Sequence, residues 1–377
     1  MGARDDLISA RRVVVKVGSA LLAGSPDAFA RLAAQVATLR TRGLEVAIVS
    51  SGAIALGLAP LGLSGRPRDL PSLQAAAAAG QSRLMWRWGE AFSAHHLEVA
   101  QVLLTHADLR DRRRYLNAKS AMRRLLNAGV VPIVNENDSV SVDEIKLGDN
   151  DTLAAEVCGL VDADAVVLLT GAPGLFTADP GVDPSAVRIP VVEVIDEHVR
   201  ALAGPPAALG TGGMVTKLIA AENAGRHGAG TVIAPGAVDD ILGKVFAGED
   251  VGTLLRAPAG ARATARKRWI STTLRPRGTL YVDAGAVAAL KKHASLLFAG
   301  VREVEGSFQP GDPVNVAHAD DRAPFARGLV RLSDEDARRV AGKKTVEAQA
   351  LISALPDELI HRDDLVLLRP GARGVSP

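Results

Sequence analysis

Short apolar runs alternate with helical segments through the first two-thirds of this 377-residue chain, and that alternation limits its fold more than any other feature. Val13-Val14-Val15-Lys16-Val17-Gly18-Ser19 is apolar without polar interruption until Lys16, the pattern of a strand buried on both faces. Further strands are expected at residues 44–49, 97–105, 130–134, 164–170 and 231–234. Helical segments lie between them: residues 25–43, opened by Ser25-Pro26 and closed at Gly43, then 73–94, 112–127, a helix from Thr152, and 214–225. Strands joined in this way form a mostly parallel sheet with helices on both faces. Past about residue 275 the pattern changes to short strands at 278–282, 301–304, 313–316, 326–330 and 365–368, with short helices at 284–292 and 334–341. The expected organisation is an α/β domain over residues 1–258, a linker over 259–274 and a small β-rich domain over 275–377.

Aromatic residues make up only 3% of the chain, so the core is expected to be built from Ala, Val and Leu. Cys158 is the sole cysteine, which rules out an internal disulfide and fits a reducing compartment. Its place on a helix makes it a small core residue. No apolar run approaches 18 residues, the N-terminus carries no apolar signal region, and Asp6 breaks the myristoylation pattern. A cytoplasmic protein is expected. The net charge is +2, too small to imply a polyanion partner, although residues 262–377 carry +5 and the rest −3.

Chemistry-bearing residues gather at the carboxyl ends of the strands, where open α/β sheets bind ligands. Lys16 is either an edge-strand charge or a functional ammonium. Gly18 and Ser19 behind it favour function, because they let a ligand approach the backbone. Ser50-Ser51-Gly52-Ala53 ends the second strand with small residues whose N–H groups can hold an anion, though a tight turn alone looks the same. Asn135-Glu136-Asn137-Asp138 follows the fourth strand, and Asp149-Asn150-Asp151 precedes the next helix, with Asp149 or Asn150 as its cap. One such cluster is usually a polar loop of Asx turns; two flanking one excursion point to a site. Gly210-Thr211-Gly212-Gly213-Met214-Val215-Thr216-Lys217 leads into a helix whose N-terminus favours a phosphate, with Lys217 in reach of the same anion. The spacing of a P-loop is absent. Arg110, Arg112, Arg113 and Arg114 read as a solvated charge run.

Taken in order, Val-Lys-Val-Gly-Ser, Ser-Ser-Gly-Ala-Ile, Val-Asn-Glu-Asn-Asp, Lys-Leu-Gly-Asp-Asn-Asp, Gly-Leu-Phe-Thr-Ala-Asp-Pro and Gly-Thr-Gly-Gly-Met-x-Thr-Lys closely resemble the glutamate-phosphorylating branch of the amino acid kinase family. Lys267-Arg268-Trp269-Ile270 resembles the junction to a C-terminal PUA domain. The resemblance implies a three-layer αβα sandwich plus a PUA-like domain. It also implies ATP-dependent phosphorylation of the L-glutamate γ-carboxylate with Mg²⁺, as the first step of proline synthesis. Feedback inhibition by proline and a homo-oligomer, dimer or tetramer, are further implications. By motif match Lys16 and Lys217 contact the transferred phosphoryl group and Asp151 orients both lysines. Ser51, Gly52, Ala53, Asn135, Asp138, Asp149 and Asn150 hold glutamate. Gly18, Ser19, Thr170, Gly171, Asp179, Pro180, Thr211, Gly212, Gly213, Met214, Val215 and Thr216 lie at the nucleotide, and no protein ligand to the metal is assigned. The sequence departs from the family pattern twice: Gly171 stands where an acidic residue is usual, and Ala20 follows Ser19 where a second hydroxyl is usual.

A carboxylate nucleophile, with an ordinary pKa of about 4.3, is already ionised at neutral pH, so no general base is required. The eight histidines, His106 among them, are then expected to be ordinary structural or solvated residues. Kinases acting on acetylglutamate, aspartate or carbamate would share the lysines and glycine loop, but not the Asn-Glu-Asn-Asp loop or the C-terminal domain. RNA binding by residues 262–377 is not expected, given few aromatics for stacking and modest positive charge. A dinucleotide-dependent dehydrogenase is not expected, since no Gly-x-Gly-x-x-Gly follows the first strand.

Overall fold

The computed structural model of the protein describes residues 4–140, 150–204, 213–261, 276–352 and 355–368. The chain forms two compact units, Met1–Ala261 and Arg262–Pro377. Most of the segment expected as a linker, and the Lys267-Arg268-Trp269-Ile270 motif, lie outside the described residues.

The first unit is built on eight strands: β1 (Arg12–Val17), β2 (Glu45–Ser50), β3 (Val99–Leu104), β4 (Val131–Glu136), β5 (Ala165–Thr170), β6 (Val191–Val192), β7 (Gly230–Pro235) and β8 (Thr253–Leu255). Their order across the sheet is β3-β4-β2-β1-β5-β7-β8-β6. Pairing is parallel from β3 to β7; β8 runs antiparallel to β7 and parallel to β6. From β1 the chain moves to β2 on one side, while β5 leads to β7 on the other. The strand order therefore reverses between β1 and β5, which opens a crevice at their carboxyl ends.

Strand periodicity assigns the two faces. Val13, Val15 and Val17 join a core with Phe29, Leu32 and Val36 of helix Ala28–Thr41 and Leu84, Trp88 and Phe92 of helix Leu70–Ser93. Val14 points the other way, into a core with Met122 of helix Arg112–Asn127, Leu153 and Val157 of helix Asn150–Val161, and Leu218 of helix Met214–Arg226. The result is the three-layer sandwich expected from the alternation. Cys158 is buried in the second core, as its helical position implied.

Several local boundaries differ by a few residues from expectation, and two of the differences have a plain local cause. The first long helix begins at Ala28 rather than at Pro26: Ser25 accepts from the backbone of Asp27 and Ala28, so residues 25–27 form a turn. A short helix, Ser19–Ala23, precedes it. Strand β4 runs through Asn135 and Glu136, because pairing with Leu103 and Leu104 of β3 carries the ladder past the apolar run.

The second unit is a five-stranded mixed sheet in the order β10-β9-β11-β12-β13, from β9 (Gly278–Val282), β10 (Val301–Gly306), β11 (Pro313–His318), β12 (Pro324–Leu329) and β13 (Leu365–Leu367). Leu280, Val282, Phe298, Phe308, Val316 and Val340 form its own core.

One packing contact in the first unit bears on the site. Helix Ala53–Gly57, directly behind the Ser50-Ser51-Gly52 turn, crosses helix Leu70–Ser93 at Gly57 and Gly80. A Cβ on Gly80 would stand 1.7 Å from the Ala53 carbonyl oxygen, and one on Gly57 1.8 Å from that of Ala76. The two backbones are in contact, which is what the Ala-rich stretch before Gly80 permits. Gly80→Ala is therefore expected to lower stability by about 3 kcal/mol or more, the upper range for overpacking, read as a fall in the calorimetric melting temperature. A melting temperature equal to the parent's would show that the helices separate freely.

Candidate active site

Lys16 lies in the most central strand, between Val49 of β2 and Leu168 of β5. It shares the face of Val14, so its side chain enters the layer of helices Asn150–Val161 and Met214–Arg226. There its Nζ stands 2.7 Å from Asp151 Oδ1, and Lys217 Nζ donates to Asp151 Oδ2 at 3.0 Å. Thr216 Oγ1 lies 3.4 Å from the same Oδ2 and donates to the Gly213 carbonyl at 2.8 Å. Asp151 has no exposed surface, and both lysines are nearly buried. Burial works to raise the Asp151 carboxyl pKa, and the Lys16 and Lys217 ammonium groups outweigh it, holding the carboxyl below its ordinary value. Its place in the first turn of a helix adds the favourable end of the macrodipole. Two cations share one anion, so the group keeps an excess positive charge beside the β1–β5 crevice.

A second set of polar residues lies on β2, β4 and the same helix start. Asn150 Nδ2 donates to Ser51 Oγ at 2.7 Å and to Asn135 Oδ1 at 3.1 Å. Asn135 Nδ2 in turn donates to Gln81 Oε1 at 2.9 Å. Trp88 Nε1 donates to Ser50 Oγ at 3.0 Å. The Ser51 backbone N–H is bonded to the Val17 carbonyl, so Ser51 offers its hydroxyl rather than the free N–H expected from the turn. Gly52 has φ +112°, a conformation that suits glycine, and leads into Ala53 at the start of the short helix. Asp138 sits half-buried in the turn after β4. Asp149 is outside the described residues.

Of the residues expected at the nucleotide, Gly18 precedes the helix starting at Ser19, and a Cβ on Gly18 would stand 3.7 Å from Lys16 Nζ. Thr170 ends β5; its Oγ1 accepts from Ala172 N, and Gly171 is exposed with open space around it. Asp179 and Pro180 form an exposed turn in which the Asp179 carboxylate accepts from Gly181 N at 2.9 Å. Gly213, Met214 and Val215 open helix Met214–Arg226, with Met214 against the second core. Gly210, Thr211 and Gly212 lie outside the described residues. Sequence reading missed Gln81 and Trp88. The available signal was a polar residue on the buried face of a helix, since Leu73, Ala77, Gln81, Leu84 and Trp88 follow one helical stripe. His106, expected to be structural or solvated, has its Nδ1 2.7 Å from Glu156 Oε2.

A mostly parallel α/β sheet thus brings two lysines together on a buried carboxylate at the switch-point crevice. Residues 11–234 match the amino acid kinase family and residues 278–352 match the PUA domain. The chain belongs to the amino acid kinase family. It is 51% identical over 372 residues to a glutamate 5-kinase of Myxococcus xanthus strain DK1622, covering 97% of this chain and 98% of the relative. A glutamate 5-kinase of Chromohalobacter salexigens is 50% identical with the same coverage. One of Cupriavidus metallidurans is 48% identical, covering 96% of this chain and 99% of the relative.

Because the Asp151 pKa is depressed in the folded state, the unfolded chain binds the proton more readily. Its contribution to stability is full above the ordinary value of 3.8 and is lost as the pH falls through the lower, folded value. Asp151→Asn is expected to be less stable than the parent by a constant margin between pH 8 and about pH 5, a margin that narrows below about pH 4. Denaturant melts of both proteins across that range measure it, and a margin unchanged to pH 2 would contradict the assignment.

Proposed function

We propose that the protein transfers the γ-phosphoryl group of ATP to the γ-carboxylate of L-glutamate, giving L-glutamyl 5-phosphate, the first step of proline biosynthesis. The observation that carries this reading is the buried Lys16–Asp151–Lys217 group, standing beside the crevice in a chain about half identical, along almost all its length, to glutamate 5-kinases.

The reaction makes one bond and breaks one. A glutamate γ-carboxylate oxygen attacks the γ-phosphorus, and the bond to the ADP oxygen breaks with its electron pair leaving on ADP. No proton moves, because the attacking carboxylate is already ionised at neutral pH. What the chain must supply is alignment of two anions and neutralisation of charge on the transferred oxygens. Lys16 and Lys217 would meet those oxygens, and Asp151, by holding both ammonium groups, sets their spacing before substrate arrives. The helix Met214–Arg226 directs its N-terminus, with Gly213, to the nucleotide phosphates. Among the described residues no three His, Cys, Asp or Glu side chains converge as a metal site. Mg²⁺ would enter on the ATP phosphates, where it would neutralise part of their charge. Ser51, Asn150 and Asp138 would face glutamate, with Asp138 opposite its ammonium. Proline would weaken turnover by placing its own ammonium there.

A coupled ADP-release assay with glutamate, aspartate and acetylglutamate tests the substrate. Glutamate is expected to give turnover well above the other two, and a preference for either of them would replace this reading. In the same assay Lys217→Ala is expected to lose about 10²–10³-fold in rate, typical for removing one transition-state charge contact. A variant within tenfold of the parent at saturating ATP would remove Lys217 from the proposed role.

Asp138→Asn keeps the shape and deletes the charge. Truncating one member of a buried charge pair costs about 2–5 kcal/mol, or roughly 30- to several thousand-fold in kcat/KM. The loss is expected in the glutamate KM, with the ATP KM little changed. Glutarate, which lacks the ammonium, is expected to suffer less; equal losses for both would assign Asp138 to loop structure instead.

A further inference from the structure

Gln81 is a polar side chain in the middle of helix Leu70–Ser93, more than nine-tenths buried, and no catalytic or binding role above includes it. Its Oε1 accepts from Asn135 Nδ2, and Asn135 Oδ1 accepts from Asn150 Nδ2, which also donates to Ser51 Oγ. Three amides thus form a directional chain of donors and acceptors. An amide has one oxygen and one NH₂ group, so fixing one member fixes the next. With Asn135 Nδ2 committed to Gln81, Asn135 must present oxygen to Asn150. Asn150 then spends its NH₂ group on Asn135 and Ser51, and its Oδ1 is left over. That oxygen is buried and has no partner among the described residues, and the same holds for Gln81 Nε2 at the opposite end. An unpartnered buried acceptor costs stability unless something donates to it.

We propose that Gln81 is a positioning residue for the amino-acid substrate: acting through Asn135, it turns the amide of Asn150 so that Oδ1 faces the ligand as an acceptor. An acceptor aimed into a site whose other candidate contact is the Asp138 carboxylate selects a donor-rich cation, and an α-ammonium group is the chemical class that fits. Were the chain of amides reversed, Asn150 would present N–H groups and repel that cation. The crossing at Gly57 and Gly80 fixes the helix carrying Gln81 against the turn carrying Ser51, so both ends of the chain rest on one backbone contact. Trp88, seven residues along the same stripe, holds the neighbouring Ser50 hydroxyl.

This inference rests on glutamate being the phosphoryl acceptor. The test compares the parent, Gln81→Met and Gln81→Glu in the ADP-release assay, with full saturation curves for glutamate and for ATP. Met fills similar space, and its thioether is only a weak hydrogen-bond acceptor. Glu can accept from Asn135 whether its carboxyl is ionised or protonated. Gln81→Met is expected to raise the glutamate KM about three- to tenfold, the worth of one hydrogen bond, with a much smaller change in the ATP KM. Gln81→Glu is expected to restore the glutamate KM to within about twofold of the parent, again on the scale of less than one hydrogen bond. A residue serving packing alone would behave the other way round, because a buried carboxyl is worse tolerated than Met. Equal changes in the two KM values, or a Glu variant worse than the Met variant, would overturn the proposal. If Gln81→Met does not fold, Gln81→Ala replaces it with the same expected split. A parent without glutamate-dependent ADP release would instead remove the substrate reading on which the inference stands.

Discussion

The charged half of the candidate site depends on one carboxylate held in a dry place by two lysines. Asp151 has no exposed surface, and the Lys16 and Lys217 ammonium groups together outweigh the burial that would raise its carboxyl pKa. The three residues come from a central strand and two helices of one layer, so their meeting presupposes the sheet, the register of β1 and the packing of both helices. Breaking the group would cost stability, although replacing all of it by apolar side chains of similar volume is often neutral. The group keeps two positive charges on either oxygen of one carboxylate, with their desolvation already met by folding.

The two halves of the site are supported in different ways. The charged half is fixed by ion pairs among Lys16, Asp151 and Lys217, so its geometry follows electrostatics. The polar half, around Ser51, Asn135 and Asn150, is fixed by neutral hydrogen bonds that end on helix Leu70–Ser93. Neutral amides have direction but little range, so this half depends on close backbone packing to stay in register. Asn150 and Asp151, adjacent in sequence, join the halves: one side chain enters the amide chain and the other the ion group.

Much of this was legible in the sequence, for reasons that particular residues show. Lys16 stood out because an unalternating apolar strand has no use for a charge, and Lys217 because it follows glycines at a helix start. The alternation of strands and helices gave the layers, and Cys158 read correctly as a core residue. Other features depended on contacts between distant parts of the chain. Gln81 meets Asn135 and Trp88 meets Ser50 across 54 and 38 residues of sequence, and neither pairing has a local signature. The commitment of the Ser51 N–H to Val17, and the entry of Asn135 and Glu136 into β4, likewise follow from neighbouring strands. Pro26 misled because proline suits a first helical turn and a tight turn equally, and Ser25 chose the turn.

The face assignment of β1 has a consequence for how such a chain can change over time. Val13, Val15 and Val17 belong to one layer, and Val14 and Lys16 to the other. Which layer Lys16 enters is therefore a matter of odd and even. Loss of one residue ahead of Lys16 would leave a strand as apolar as before, able to pair with β2 and β5 on either side. Lys16 would then point among Phe29, Leu84 and Trp88, with no carboxylate there to receive it. Point substitutions among these valines change volume in small steps, but a single insertion or deletion inverts the strand. The length of β1 ahead of Lys16 is thus under a stricter constraint than the identity of any valine in it.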